Sequence, residues 1–542
     1  MGLRRPSRRP PVLAAIGLVV AGVFVALAAS LNPGLPDASR PLPTLPVGLR
    51  ASPGGEASPG DAGGGPSATP DTRVAIVPVT SFRSGWTSTD ATEVAAVAAG
   101  RSPRYAAIEV LADGSADTLA AVGAGTAPVS TAIVIAKDGA TLRADLAAHR
   151  NRLGFLPLAD VDPSVRALAW GGLSLFGVHR LATLEGWPLR LQLPPGTVAA
   201  TTSPYDPATA WTLVAGGDIN LDGQVAYHVK QLGLGVDFPF AGGTATITGH
   251  TCCSFAGLPL PRAKRTGNEG AVHELLSLAS LSIANFENPA PDNFQYHAAG
   301  FKFSADPALI EGLANAGIDW VSLANNHIGD YGDGGIVDTL KNLDRWGIAH
   351  GGAESDLDAA RLPTVLEAGG LSVAILGYDT IKPLYGASAT SPGSNQMSVD
   401  RVTADVRAAR AAGAGFVIVF PHWGVEYRAT TTTLQRRLAH AAIDAGADIV
   451  IGSHTHWAGG MEVYRGRPIF YSLGDFVFNI TRSEQTEESF VLELTLQGSR
   501  LVQAQLMPYL ILDGSQPNLL DPAGSGKVVL SQVFGASPGL PW

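Results

Sequence analysis

Asp448-Ile449-Val450-Ile451-Gly452-Ser453-His454-Thr455-His456 is the stretch whose reading decides the fold of this chain. A short apolar run bounded by aspartate and glycine has the form of a strand buried on both faces. Two histidines, one residue apart, stand on the loop that leaves it. In open α/β sheets, ligands gather on the loops beyond the carboxyl ends of strands. Imidazole nitrogen is a common ligand for zinc, manganese and iron. Alternate residues of an extended loop leave the backbone on opposite sides, so the two rings suit two metal centres; with a bend they bracket one. Taken alone, the pair is a loop that happens to carry two histidines.

The same design recurs upstream. Apolar runs stand at Trp211–Ala215, Leu281–Ala284, Trp320–Leu323, Val373–Gly377 and Phe416–Phe420. Helical patterns lie between them at Pro307–Ala316, Gly334–Trp346, Val399–Ala412 and Thr432–Ala445. This alternation predicts an α/β fold with sheet faces covered by helices. The loops that follow the strands read Gly216-Gly217-Asp218-Ile219-Asn220, Asn285-Phe286-Glu287-Asn288, Ala324-Asn325-Asn326-His327, Pro421-His422-Trp423-Gly424 and Ser453-His454-Thr455-His456. Each delivers a carboxylate, an amide or an imidazole, a joint pattern that points to one shared metal site.

Oxygen from Asp218 and Glu287, amide oxygen from Asn326 and nitrogen from His422, His454 and His456 form a mixed donor set. Such a set suits two divalent ions of Mn, Fe or Zn. Glu287 is placed to bridge them. Two metals together polarise a phosphoryl or acyl oxygen and generate hydroxide at neutral pH. His327, next to a ligand, is the candidate catalytic residue, as general acid for the leaving group.

Length and charge set the bounds. A chain of 542 residues predicts two or three domains. A net charge of −10 argues against a nucleic-acid partner, which would need a basic surface. Cys252 and Cys253 are adjacent and are expected as two unpaired thiols. Met1-Gly2-Leu3-Arg4-Arg5-Pro6-Ser7-Arg8-Arg9 precedes an uncharged apolar run from Val12 to Leu31, about one bilayer thickness. The arginines ahead of it predict a cytoplasmic N-terminus and an exported body. Ala26-Leu27-Ala28 would also suit signal peptidase, but the length of the run favours a retained anchor. The expected location is the cell membrane, single-pass, with an extracytoplasmic body.

The expected organisation follows. Residues 1–31 form the anchor or signal. Residues 32–71, rich in Pro, Gly, Ala, Ser and Asp, form a disordered linker. Residues 72–200 form a small α/β domain, 211–512 the metal-site domain, and 513–542 a C-terminal tail. Within 72–200, strands are expected at Val74–Val79, Ala106–Leu111, Ala132–Ala136 and Arg152–Pro157, and helices at Thr92–Ala99 and Leu142–Arg150. The piece Leu153–Leu168 resembles a late segment of periplasmic substrate-binding proteins of the phosphate/molybdate type.

Gly217-Asp218, the Glu287 loop, Leu323-Ala324-Asn325-Asn326-His327 with Asp330-Tyr331-Gly332, and His422-Trp423-Gly424-Val425-Glu426-Tyr427 together resemble the CapA family of poly-gamma-glutamate capsule proteins. So does the run from Gly446-Ala447-Asp448 to Tyr471-Ser472-Leu473-Gly474-Asp475-Phe476-Val477-Phe478. The resemblance implies a four-layer α/β/β/α sandwich like that of calcineurin-like metallophosphoesterases, with a two-metal site. It assigns Asp218 as the first aspartate, Glu287 as the bridging acid, Asn326-His327 as the Asn-His pair, His422 as the lone histidine, and His454 and His456 as the last motif. Two departures stand out. Asn220 occupies the place of the histidine in Asp-x-His, and the bridging aspartate is the longer Glu287.

Several residues have bland alternatives. Taken alone, Asn325-Asn326 reads as a turn, Trp423 as a pocket wall or core, and Glu426 and Asp475 equally as near the site or as a helix start or surface. Asp330 either orients His327 or caps the next helix. His440 reads as part of a solvated face, and His228, His250, His273 and His297 as scattered loop histidines. The functional expectation is an exported, anchored metal-dependent hydrolase acting on a capsule or cell-envelope polymer, poly-gamma-glutamate-like, or on a phosphoester, with capsule-synthesis membrane proteins as possible partners. Its alternative is a non-catalytic, polymer-binding or scaffolding component of capsule assembly. A phosphate sensor is a third idea, resting on the 72–200 region.

Overall fold

The computed structural model describes residues 73–124, 132–192, 204–295 and 301–542. The anchor and linker expectations, and His297, lie outside these residues. Among the described residues, no helix is long and apolar enough to cross a membrane.

The first folded region is built on a mixed sheet. Its strand path runs Ile133–Ala136, Ala107–Leu111, Arg152–Pro157, Val74–Ser81, Val165–Ala167. Ala107–Leu111 is parallel to both of its neighbours, whereas Val74–Ser81 is antiparallel to both of its own. The helices Ala91–Ala98 and Gly139–Ala148 start where aspartates cap them. Asp90 accepts from the amide of Glu93, and Asp138 from that of Thr141, each at 2.8 Å. Val94, Val97, Leu142 and Leu146 turn inward and close a core around Ile108, Leu153 and Phe155.

Gln503 is one of the side chains that latch this region to the rest of the chain, beside Glu493 and Thr495. Gln503 accepts from the amide of Ala167 at 2.9 Å and donates to the carbonyl of Val165 at 2.9 Å. An amide side chain thus completes the edge strand as a neighbouring backbone would.

The larger body is built on two large sheets, beside a two-stranded pair of Ala353–Glu354 and Gly393–Ser394. One runs Leu260–Gly267, Thr244–Thr251, Gln516–Leu520, Arg500–Leu512, Glu488–Gln497, Trp211–Ile219, Leu281–Phe286, Trp320–Ser322, Ala349–Gly351, with Asp475–Val477 also beside Trp211–Ile219. The other runs Thr364–Ala368, Leu371–Asp379, Phe416–His422, Ile449–Ile451, Arg467–Phe470, Met461–Tyr464. Trp211–Ile219 and Phe416–His422 are buried at every residue, as strands covered on both faces must be.

Three cores explain the layering. Leu213, Ile283 and Leu494 of the first sheet meet Ile375, Ile418 and Ile449 of the second in a core between the sheets. Outside the first sheet, Val214, Ala284 and Val321 pack with Leu313, Ile336 and Leu343 of the helices Ile310–Ala316 and Gly332–Arg345. Outside the second, Val417, Val419 and Val450 pack with Val402, Val406, Leu438 and Ala442 of Val399–Ala411 and Thr433–Ala445. The alternation of side chains along each strand sends odd and even residues to different cores.

Some sequence expectations are corrected. The segment beyond residue 512 is no tail. Gln516–Leu520 is a strand of the first sheet, and the helix Lys527–Gly535 sends Val529, Leu530 and Val533 into the inter-sheet core. Cys252 and Cys253 are joined as a disulfide rather than standing as two free thiols. His440 does not sit on a freely solvated face; it stacks on Tyr464 at 3.7 Å and bonds Glu462 at 2.9 Å. Trp423 meets its core reading: it is fully buried and donates to the carbonyl of Tyr471 at 2.9 Å.

Candidate metal centre

Parallel pairing brings the motif loops together. Leu281–Phe286 lies beside Trp211–Ile219, with Asn285 opposite Asp218, so Glu287 leaves its strand next to Asp218. In the second sheet Phe416–His422 and Ile449–Ile451 are parallel neighbours, and a bridge between His422 and Ser453 aligns the two histidine loops. The sheets face each other, and their loops converge at one end.

The His-x-His loop bends sharply. His454 and His456 have φ of +94° and +57°, the left-handed region that non-glycine residues seldom adopt. Such backbone costs of order 1–3 kcal/mol per residue and persists where surroundings hold it. The hold is visible: the amide of His454 donates to Asp218 Oδ2 at 3.0 Å, and Nδ1 of His456 donates to Asp475 Oδ1 at 2.8 Å.

The bend delivers the two imidazoles to two different donor groups. Glu287, His422 and His454 form one; Asp218, Glu287 and His456 form the other. Glu287 belongs to both. His422 Nε2 is 2.7 Å from Asn326 Oδ1, 3.1 Å from His454 Nδ1 and 3.4 Å from Glu287 Oε1. Asn326 therefore joins the first group. Asp218, Glu287, Asp475 and His422 are wholly buried, and His454 and His456 nearly so.

The electrostatics call for a cation. Burial, with Glu287 beside it, pushes the Asp218 carboxyl up to about 7. Burial does the same to Glu287 and Asp475, each raised to about 7. His422 is pulled down to about 4 by burial, which leaves its ring neutral. Burial also lowers His456, but Asp475, Glu287 and Asp218 together outweigh it and raise that imidazole to about 10. Both carboxylate oxygens of Glu287, and Oδ2 of Asp475, are buried without a hydrogen-bond partner. Buried polar atoms are rarely left so. Hard oxygen and borderline nitrogen donors facing such orphaned carboxylates fit a divalent transition metal.

Each sequence-selected residue has a place. Asp218, Glu287, Asn326, His422, His454 and His456 are brought together. His327 stands at the margin, its Nδ1 bonded to Asp330 Oδ2 at 2.7 Å and its ring 4.3 Å from that of Phe303. Asp330 is thus an orienting carboxylate; its Oδ1 accepts from the hydroxyl of Tyr385 at 2.9 Å. Asn220 is not among the donors: its Oδ1 accepts from the amide of Asp222 at 2.9 Å and holds a turn. Asn325 donates to the carbonyl of Phe286 at 2.8 Å, tying two motif loops together. Glu426 is exposed, while His228, His250 and His273 bond Ser515, Glu484 and the carbonyl of Asn315.

Two members of the site were underrated by the sequence. Asp475 looked like surface, yet it grips His456. Its signal was its place in the Gly474-Asp475 step, opposite Asp218 across parallel strands. Asn285 donates to Asp218 Oδ1 at 2.8 Å and carried no signal beyond its neighbour Glu287.

Residues 212–480 match the profile of the family described as bacterial capsule synthesis protein PGA_cap. The chain is 31% identical over 267 residues to the capsule biosynthesis protein CapA of Bacillus anthracis, covering 48% of this chain and 64% of that protein. It is 34% identical over 212 residues to the PGA biosynthesis protein CapA of Bacillus subtilis (strain 168), covering 38% of this chain and 56% of that protein. The chain thus spans less than two thirds of the length of either relative. Among solved structures, a 5'-nucleotidase precursor from Thermus thermophilus aligns at 13% identity over 60% of this chain and 58% of that one, with a TM-score of 0.33, too low to carry an argument.

Proposed function

Through residues 212–480 this chain belongs to the CapA family of bacterial capsule synthesis proteins, and from that membership we propose that it is a metal-dependent hydrolase of capsule or cell-envelope polymer, of metallophosphoesterase type. The observation that carries the reading is Glu287, shared by two donor groups with both oxygens buried and unpartnered. Asp218, Glu287 and His456 would hold one ion; Glu287, Asn326, His422 and His454 a second. When bound, divalent Mn, Fe or Zn supplies Lewis acidity and a water acidic enough to attack at neutral pH.

The chain's own residues prepare the rest. Asp330 engages Nδ1 of His327, which leaves Nε2 to hold or pass the proton that a leaving group needs. The ring of Phe303 lies 4.3 Å from that imidazole at a tilt of 44° and limits its rotation. Tyr427, stacked on His456 at 5.8 Å with Arg482 4.4 Å above its ring, forms another wall. Lys382, 3.9 Å from Asp330, adds a cation for an anionic substrate, either phosphoester or poly-gamma-glutamate-like amide. In this reading the body works outside the cytoplasm, tethered by the apolar segment near the N-terminus.

The test is a screen of the metal-reconstituted full chain against phosphoester and gamma-glutamyl substrates, beside His327→Ala. Hydrolysis that falls at least about 100-fold in the variant, with metal content unchanged, supports the reading. Full activity in His327→Ala removes its assigned role.

One observation favours a second reading, a polymer-binding component without turnover. Asn220 Oδ1 is committed to its own turn, so the group around Asp218 lacks the nitrogen donor that Asp-x-His would supply. Polymer binding by a chain that hydrolyses nothing in the screen would support this reading instead.

A further inference from the structure

Among the described residues, Arg166 is the only arginine or lysine that is buried, at 1% exposure. Its Nε and Nη2 have no hydrogen-bond partner. Burial pulls the guanidinium down to about 10, so it keeps its charge at neutral pH. A buried charge left unpaired is among the costliest features a fold can carry. Natural folds answer such a group with a partner, a water or an ion.

Thr80 lies opposite Arg166 across the antiparallel strands Val74–Ser81 and Val165–Ala167, so the two side chains leave one face of the sheet. The helix Gly139–Ala148 covers the other face, where Leu142 and Leu146 crowd Gly154 together with Val79. Glu109, opposite Gly154, is on that helix side and pairs with Arg152 at 3.1 Å. It therefore does not neutralise Arg166.

Tyr105 belongs to the Arg166 side. Its hydroxyl lies by Thr80 and feels the Arg166 charge, yet it too is buried without a hydrogen-bond partner. Burial raises that phenol above its usual range, so it keeps its proton and is a donor. Thr80 spends its own proton on the carbonyl of Arg152 at 3.0 Å. Arg104, beside Tyr105, is answered by Glu93 at 3.7 Å and lies 4.0 Å over the ring of Trp86. One positive charge, that of Arg166, is left without an answer.

Nε and Nη2 lie along one edge of the guanidinium, the fork that grips two oxygens of a single anion. The Tyr105 hydroxyl adds a third donor. Two parallel N–H groups with a hydroxyl suit an oxyanion better than a halide, which offers one point of contact. The place is the end of Val74–Ser81, in a different sheet from those that carry the metal centre.

We infer that Arg166 and Tyr105 enclose a small oxyanion, a phosphate or a carboxylate, which supplies the missing countercharge. The strand that carries Arg166 is the one that Gln503 bonds through Val165 and Ala167. The anion therefore braces the junction of the small domain with the larger body, whether or not the metal centre turns over substrate.

Thermal unfolding of the full chain tests it, with EDTA present so that the metal centre takes no anion. Phosphate, glutamate and chloride are compared at matched ionic strength for the parent, Arg166→Met and Tyr105→Phe. The Tm of the parent should rise with the logarithm of phosphate or glutamate concentration beyond what chloride gives, and the anion that raises it identifies the ligand. Arg166→Met should lose that rise, since no fork remains. Tyr105→Phe should need about tenfold more anion for the same rise. A parent that responds to phosphate and glutamate no more than to chloride overturns the inference and leaves these groups to water. A response as large in Arg166→Met overturns it too, as does an unchanged one in Tyr105→Phe should the first variant fail to fold.

Discussion

Nε2 of His422 stands 3.4 Å from Oε1 of Glu287, and neither side chain reaches solvent. With burial holding the imidazole at about 4, the ring is neutral near pH 7, and the contact is no ion pair. With the ring proton on Nδ1, Nε2 and the carboxylate oxygen point lone pairs at each other, an arrangement that a shared cation resolves.

In the proposed centre, the carboxylate of Asp475 would act on a bound metal through His456. It holds Nδ1 of that ring at 2.8 Å and so leaves Nε2 for the ion. Asp475→Asn should weaken binding of the metal by about 10- to 100-fold in calorimetric titration. Unchanged affinity would mean that His456 is positioned by its strained loop alone.

Asn220 is assigned to a turn rather than to the ion. Asn220→Ala should lower stability by about 1 kcal/mol, the worth of one hydrogen bond, with metal stoichiometry unchanged. Loss of a metal equivalent in this variant would return Asn220 to the ligand set.

Asp330 positions His327, and Tyr385 positions Asp330. If the centre is hydrolytic, Asp330→Asn should lower kcat by about tenfold or more with little change in KM. Tyr385→Phe should show a smaller effect of the same kind. A rise in KM alone would place these residues in substrate binding.

Away from the metal, Glu488 offers a pH test. It is 4% exposed and pushed up to about 8, chiefly by burial and then by Glu484 and Glu487. A raised carboxyl contributes stability below its ordinary value of about 4.5 and loses that contribution as pH rises through about 8. Glu488→Gln should therefore leave stability unchanged near pH 4, raise it increasingly from pH 5 to about 8 and by a constant amount above that, by more than about 1 kcal/mol at the plateau. A constant difference across this range would contradict the assignment.

Much of the fold was legible because strands buried on both faces must be apolar throughout and must end in turns. Phe416–Phe420 and Ile449–Ile451 were read so, and their loops carry His422, His454 and His456 as donors now seen together. Less legible were contacts made across the sheets. Asp475 gains its role from pairing with Trp211–Ile219, a strand more than two hundred residues earlier. The helix Lys527–Gly535 carries a mixed polar and apolar pattern typical of any surface helix, and only the inter-sheet gap makes it core. The Asn220 turn was hidden because an amide serves a metal and a backbone N–H equally well.

The central claim is that Glu287 is shared by bound metal. Elemental analysis of the purified full chain after reconstitution with Mn, Fe and Zn, beside Glu287→Ala, tests it most directly. The prediction is divalent transition metal retained through desalting by the parent chain and lost by the variant. No retained metal in the parent, or equal content in the two, would contradict it.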